Sequence, residues 1–149
     1  YVAIVAEVEV AEDGTVSVPR ATVAVDAGFV ANPDRARSQM EGAVIMGLTA
    51  ALWGEINIKD GAPVDNNFDT YKVARMNEYP RTVNVHWVKC IKWIEGAGEE
   101  AIPDVTCAVY NAIYKITGKR IREVPQALHV HDDDAAQADI DALKRLSQL

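Results

Sequence analysis

The chain has 149 residues, of which 49% are hydrophobic and 25% charged, and its formal net charge is −7. This composition is typical of a globular protein with one sizeable core, and the acidic balance argues against nucleic-acid binding by the surface as a whole. No apolar stretch reaches the length of a membrane span. Two cysteines, Cys90 and Cys107, form no motif for zinc or an iron–sulfur cluster, and we expect each to be a small buried hydrophobe.

Two β-strands joined by a tight turn are predicted at the start of the chain. In YVAIVAEVEV every second residue from Val2 is apolar, while Glu7 and Glu9 fall on the opposite face. The segment EDGT forms the turn, with Gly14 taking a positive φ. The returning strand, VSVPRATVAVD, changes its apolar phase at Pro19, so we expect a β-bulge or a sheet edge there.

A long helix follows, capped by Asn32 or Asp34. Its apolar residues recur at helical spacing. They are Met40, Ala43, Val44, Gly47, Leu48, Ala51 and Leu52. Glycine inside a helix costs about 1 kcal/mol relative to alanine, and this helix contains both Gly42 and Gly47. We therefore expect another element to pack very close to it.

The rest of the chain is predicted to contain a hairpin, a strand and two more helices. Asp60 and Gly61 stand at the hairpin turn in GEINIKDGAPV, and TVNVHWVKCIKWI is predicted to be one strand. The next helix ends at Gly118. Its predicted buried residues are Val105, Ala108, Val109, Ala112, Ile113 and Ile116. The fold class is α+β, with antiparallel hairpins and a mixed sheet packed with two main helices over residues 1–128, and a tail with a terminal helix over residues 129–149.

The segment IEGAGEEAIPD, between that strand and that helix, is the strongest candidate for a functional loop. Gly96 and Gly98 permit unusual backbone angles and close approach by another molecule, and the helix start favours an anion nearby. Glu99 is then either a general base beside a bound anionic cofactor or a solvated surface glutamate. Gln39, just before the apolar stripe of the long helix, likewise either hydrogen-bonds a ligand or faces solvent.

A second candidate is the pair His129 and His131, which is followed by three aspartates. Alternate histidines share one face of a strand, but peripheral runs of acids and histidines are usually solvated, so we assign no metal ligand to them. The sequence contains no P-loop, no dinucleotide-binding fingerprint and no plausible Ser/His/Asp triad.

Taken in order, several segments resemble the molybdenum-binding subunit of xanthine dehydrogenase-type hydroxylases. AEVEVAEDGTVSVPRATVAVDAGFVANPD looks like that family's paired strands, and SQMEGAVIMGLTAALWGEI is similar to its GQxEGxxxxGL helix. NNFDTYKVARMNEYP and NAIYKITGKRIREVP match the following polar stretch and the C-terminal helix with its exit. The resemblance is greatest to the isoquinoline 1-oxidoreductase β-subunit branch, and it corresponds to only the C-terminal part of a much longer subunit.

The resemblance implies a molybdopterin-type molybdenum cofactor, completed by the remainder of the subunit, and hydroxylation of a small aldehyde or N-heterocycle with oxygen from water. GAGEEA, residues 96–101, stands where the family has GxGEPG, which gives Glu99 the general-base position. Gln39 matches a glutamine that hydrogen-bonds a ligand of the metal, and Gly98 flanks the cofactor. Iron–sulfur clusters are expected only in a partner subunit, which takes the electrons away.

Departures from the family pattern leave a second reading open. Glu100 replaces proline, Ala101 replaces glycine and Asp104 replaces a usual proline. A non-catalytic residual or assembly domain that keeps the family fold would tolerate these changes. The retained Gln39 and Glu99 favour the enzyme reading, with this chain inactive on its own.

Overall fold

The computed structural model describes residues 1–90 and 93–125. Its elements are β1 (Val2–Val10), β2 (Val16–Val25), α1 (Pro33–Trp53), β3 (Ile58–Lys59), β4 (Ala62–Pro63), β5 (Thr82–Trp87) and α2 (Ala101–Thr117). A mixed sheet has the order β1-β2-β5, with β1 antiparallel and β5 parallel to β2, while β3 and β4 form a separate hairpin. The predicted α+β class is confirmed. The tail predicted over residues 129–149 lies outside the described residues.

The first two strands follow the alternation in the sequence. The even-numbered residues of β1 are half-buried and the odd-numbered ones are exposed. The pairing register with β2 shifts between Glu7 and Glu9, where Val18 and Pro19 together face one residue of β1. The predicted bulge is therefore confirmed, and it moves the apolar residues of β2 back onto the core face. The predicted turn is also confirmed, with a φ of +86° at Gly14.

The two helices pack on one side of the sheet and enclose the core. The buried residues of α1 are the seven predicted from its spacing. In α2 the buried stripe instead follows residues four apart, namely Ala101, Val105, Val109 and Ile113, together with Tyr110. Ile116 lies beside this stripe in the last turn and is 53% exposed, so its predicted burial was wrong. The predicted end of α2 is confirmed, because Gly118 has a φ of +74° and caps the helix.

Gly47 marks the place where the two helices approach most closely. A Cβ at this position would lie 2.6 Å from the carbonyl oxygen of Ile102 and 2.9 Å from the Cβ of Val105. The expected close packing is therefore confirmed at Gly47. At Gly42, by contrast, an added Cβ would meet no atom of the described residues within 4 Å.

The strand β5 is shorter than predicted. It ends at Trp87, opposite Val25, the last residue of β2. The Val88 amide still donates to the Val25 carbonyl oxygen, and residues 91 and 92 of the predicted strand lie outside the described residues. The predicted burial of the two cysteines is wrong as well. Cys90 is half-buried after the end of β5, and Cys107 is exposed on the side of α2 away from the core.

The segment after α1 returns to that helix through polar contacts. Asp60 and Gly61 both have positive φ and form the predicted hairpin turn. Further on, the Lys72 ammonium lies over the ring of Trp53 and pairs with Glu78. This hydrogen bond from Lys72 holds the pKa of Glu78 below its ordinary value. None of the helices within the described ranges is long and apolar enough to cross a membrane.

Candidate functional site

The candidate loop lies between β5 and α2 and is anchored on both sides. The backbone amide of Glu95 donates a hydrogen bond of 3.1 Å to the carbonyl oxygen of Ala27, in the connection between β2 and α1. At the other end, the amide of Ile102 donates to the carbonyl oxygen of Glu99, at 3.0 Å. Ala101, the first residue of α2, is fully buried. The residues between these anchors are therefore held between the β2–α1 connection and the start of α2.

The fold brings Gln39 and Gly98 together, although they are far apart in the sequence. A Cβ on Gly98 would lie 3.5 Å from the side-chain Nε2 of Gln39. This arrangement follows from the close contact between Gly47 and Ile102, which fixes the first turn of α2 against α1. The loop that precedes α2 consequently runs past an earlier turn of α1, where Gln39 is exposed.

The glycines of the loop provide space and not an unusual backbone. Neither Gly96 nor Gly98 has a φ in the left-handed region, so the expected unusual backbone angles were wrong. The absence of a Cβ is what matters at both positions. At Gly98 it leaves room beside the Gln39 amide, and at Gly96 a Cβ would collide with the carboxylate of Glu100.

Glu99 follows directly after Gly98 and is exposed. Within residues 1–90 and 93–125, no donor is hydrogen-bonded to its carboxylate. We call Gln39, Gly98 and the adjoining Glu99 the corner. It presents a side-chain amide, a backbone without a side chain, and a carboxylate that accepts no hydrogen bond within the described residues. Such a corner is able to hydrogen-bond a ligand and to accept a proton from it.

Glu100 has a structural role that the sequence did not predict. Its side chain turns back along the loop, where the backbone amide of Gly98 donates a hydrogen bond of 2.8 Å to Oε2. Glu100 occupies the N-cap position of α2 but makes no side-chain hydrogen bond to that helix. The Glu100 carboxylate therefore binds the loop and not the first amides of α2. In the sequence the only signal for this contact is an acid two residues after a glycine.

The candidate metal cluster cannot be placed, because His129 and His131 lie outside the described residues. In the part of the chain that is described, no group of three or more His, Cys, Asp or Glu side chains is arranged to hold a metal ion.

Comparison with protein families gives one family model that covers more than half of the chain. Residues 1–80 match the model described as a molybdopterin cofactor-binding domain. This range includes both paired strands, α1 with Gln39, and the polar segment that follows.

Two curated relatives extend the similarity past that range. The chain is 36% identical over 126 residues to the isoquinoline 1-oxidoreductase subunit beta of Brevundimonas diminuta, covering 84% of this chain and 16% of that protein. It is 33% identical over 122 residues to the aldehyde oxidoreductase molybdenum-binding subunit PaoC of Escherichia coli (strain K12), covering 77% of this chain and 17% of that protein. The chain therefore spans only about a sixth of the length of these relatives.

A solved structure with the same fold is quinoline 2-oxidoreductase from Pseudomonas putida 86. It superposes with a TM-score of 0.68 over 78% of this chain and 16% of that protein's chain, at 23% sequence identity. At this identity the likeness establishes the fold alone.

Proposed function

Because the chain belongs to the family of molybdopterin cofactor-binding domains, we propose that it forms part of a molybdenum hydroxylase and supplies that enzyme's general base, Glu99. The proposed reaction is the oxidation of an aldehyde or an N-heterocycle with water as the source of oxygen. The observation that carries this proposal is the juxtaposition of the Gln39 amide with Gly98, directly beside the exposed Glu99.

The residues at this corner fit a molybdopterin-type cofactor. The gap beside Gln39 is one that a Cβ on Gly98 would fill, so glycine leaves the approach to the amide open. An amide group suits the oxygen and sulfur ligands of such a metal centre, since it donates hydrogen bonds without adding charge. Glu99 is exposed on the same loop, directly after Gly98.

Each residue then has a defined part in the proposed reaction. The bound cofactor supplies the two-electron oxidation chemistry. The side-chain amide of Gln39 orients the cofactor by hydrogen bonding, and Gly98 keeps the backbone clear of it. Glu99 accepts at its carboxylate the proton released by the water-derived oxygen as the substrate is hydroxylated, which is the task of a positioned general base.

The chain requires other protein segments to perform this reaction. It spans about a sixth of the curated relatives' length, so we assign most of the cofactor site and the substrate pocket to the remainder of the molybdenum subunit. We assign the removal of electrons to an iron–sulfur partner subunit.

A non-catalytic assembly domain is the second candidate, and the departures at Glu100 and Ala101 favour it. The local structure accommodates both departures, because Ala101 is fully buried in the core and Glu100 binds the Gly98 amide. Neither residue occupies the space beside Gln39. The departures therefore carry less weight than the retained Gln39 and Glu99.

The substitution Glu99→Gln in the assembled subunit tests the catalytic proposal. Glutamine keeps the size of the side chain but cannot accept the proton, so kcat should fall roughly 10²–10⁴-fold while the molybdenum content stays the same. Glu95→Gln is the matched control, because it removes one exposed carboxylate from the same loop. Equal kcat in the Glu99→Gln variant and the parent would refute the role of Glu99 and leave the assembly-domain reading.

A further inference from the structure

The carboxylate of Glu100 lies over both glycines of the candidate loop. Oε2 accepts the hydrogen bond of 2.8 Å from the Gly98 amide. Oε1 occupies the space where Gly96 would carry a Cβ, and any Cβ there would collide with it. One side chain therefore contacts the loop at two points, and the second contact depends on the absence of a side chain at residue 96.

These contacts restrain the backbone on both sides of Glu99. The ring closed between Glu100 and the Gly98 amide spans Glu99 itself. On the helix side, the Glu99 carbonyl oxygen accepts from the Ile102 amide. Gly98 in turn adjoins the Gln39 amide across the gap between the loop and α1. The backbone that carries Glu99, and that adjoins Gln39 at Gly98, is thus the part of the loop that Glu100 holds.

Glu100 also adopts a backbone conformation that the hydrogen bond helps to keep. Its φ is −59° and its ψ is −30°, and this φ is the value that a proline ring would enforce. A glutamate has no ring to restrict φ, and a loop with two glycines has many competing conformations. A hydrogen bond to a charged acceptor is stronger than a neutral one and selects one of these conformations.

We propose that Glu100 is a positioning residue, whose carboxylate fixes the Gly98 amide and thereby sets Glu99 beside Gln39. This inference rests on the proposed function of Glu99, but the hydrogen bond itself is testable in the full 149-residue chain without cofactor. The competing explanation is that Glu100 is an exposed residue of a surface turn and does not restrain the loop. In that case its loss would leave both the loop and the reaction unchanged.

Amide hydrogen exchange at Gly98, measured by NMR on the 149-residue chain, tests the contact directly. Glu100→Ala should speed this exchange about tenfold, because an exposed charge-assisted hydrogen bond is lost. Glu100→Gln should restore most of the protection, since its side-chain oxygen accepts the same bond. Gly96→Ala should reproduce the effect of Glu100→Ala, because the new Cβ displaces the carboxylate while Glu100 remains present. Glu95→Gln is the charge-matched control and should leave Gly98 exchange at the parent rate.

Turnover of the assembled enzyme then tests the consequence. With molybdenum content unchanged, Glu100→Ala should lower kcat by on the order of tenfold, and Glu100→Gln should recover most of it. Parent-like Gly98 exchange in Glu100→Ala would overturn the inference. So would a parent-like kcat in Glu100→Ala when Glu99→Gln is impaired, and the proposed function would then stand. A parent-like kcat in Glu99→Gln would instead overturn the proposed function, and with it the catalytic purpose assigned to Glu100.

Discussion

Replacing Gly47 by alanine should destabilise the fold, although alanine is the better helix former. The new Cβ would lie 2.6 Å from the carbonyl oxygen of Ile102 and 2.9 Å from the Cβ of Val105, so the two helices would have to move apart. The obstacles are backbone and Cβ atoms, which have no rotamer to change, and overpacking of this kind costs about 1–3 kcal/mol. The higher helix propensity of alanine offsets about 1 kcal/mol of this cost. The expected net change is a loss of up to about 2 kcal/mol in the free energy of unfolding.

The matched control for Gly47→Ala is Gly42→Ala, the same substitution in the same helix. An added Cβ at Gly42 meets nothing within 4 Å, so only the gain in helix propensity remains, and the chain should become more stable by about 1 kcal/mol. Urea unfolding of the 149-residue variants measures both changes from the midpoints at a constant m-value. If Gly47→Ala were as stable as Gly42→Ala, the close contact between α1 and α2 at Gly47 would be refuted.

Three further predictions concern the packing, the pH dependence and the cofactor. Tyr110→Phe should lower the free energy of unfolding by about 1 kcal/mol, because the buried Tyr110 hydroxyl donates a 2.8 Å hydrogen bond to the Ala51 carbonyl oxygen; an unchanged urea midpoint would contradict this. The hydrogen bond from Lys72 lowers the pKa of Glu78 in the folded chain. The ionised Glu78 therefore contributes its full stabilisation of the fold above the ordinary carboxyl pKa, and this contribution is lost as the pH falls through the lowered pKa. Urea midpoints at successive pH values should therefore fall less steeply on acidification in Glu78→Gln, by less than about 1 kcal/mol for such an ion pair; parallel curves would contradict it. The purified 149-residue chain should contain no stoichiometric molybdenum by elemental analysis and show no hydroxylase turnover, and finding both would contradict the need for the rest of the subunit.

The buried face of α1 was predictable because its period is read directly from apolar residues. The seven buried residues follow one helical stripe, and Gly47 falls within it. The bulge at Pro19 was predictable for a similar reason, since an extra residue shifts a two-residue alternation by one position. Local spacing is enough in both cases, because the partner element only has to be apolar.

The errors occurred where a distant part of the chain decides the outcome. β5 ends at Trp87, opposite the last residue of β2, and the sequence after Trp87 carries no signal for the end of a strand. Tyr110 is buried with its hydroxyl donating a hydrogen bond to the carbonyl oxygen of Ala51 on α1, a partner far away in the sequence. Burial of Ile116 was expected from spacing alone, whereas the contact with α1 and the sheet follows a slightly different stripe.

The site residues named from the sequence remain a prediction, and the local structure of the loop was not predicted. The resemblance to a family singled out Gln39, Gly98 and Glu99, and the fold brings Gln39 and Gly98 next to each other. The orientation of the Glu100 side chain was beyond prediction, because it depends on a single hydrogen bond within a glycine-containing loop. Gly96 and Gly98 were expected to adopt unusual backbone angles, but neither has a φ in the left-handed region, and what they provide is space that a Cβ would fill.

The most direct test of the central claim is to locate molybdenum in a crystal of the assembled, cofactor-loaded subunit by its anomalous scattering. We predict that the peak lies at the corner formed by Gln39, Gly98 and Glu99, with the Gln39 amide in hydrogen-bonding distance of a ligand of the metal. A molybdenum peak with its ligands in contact with none of these three residues would contradict the assignment of this corner as the cofactor site.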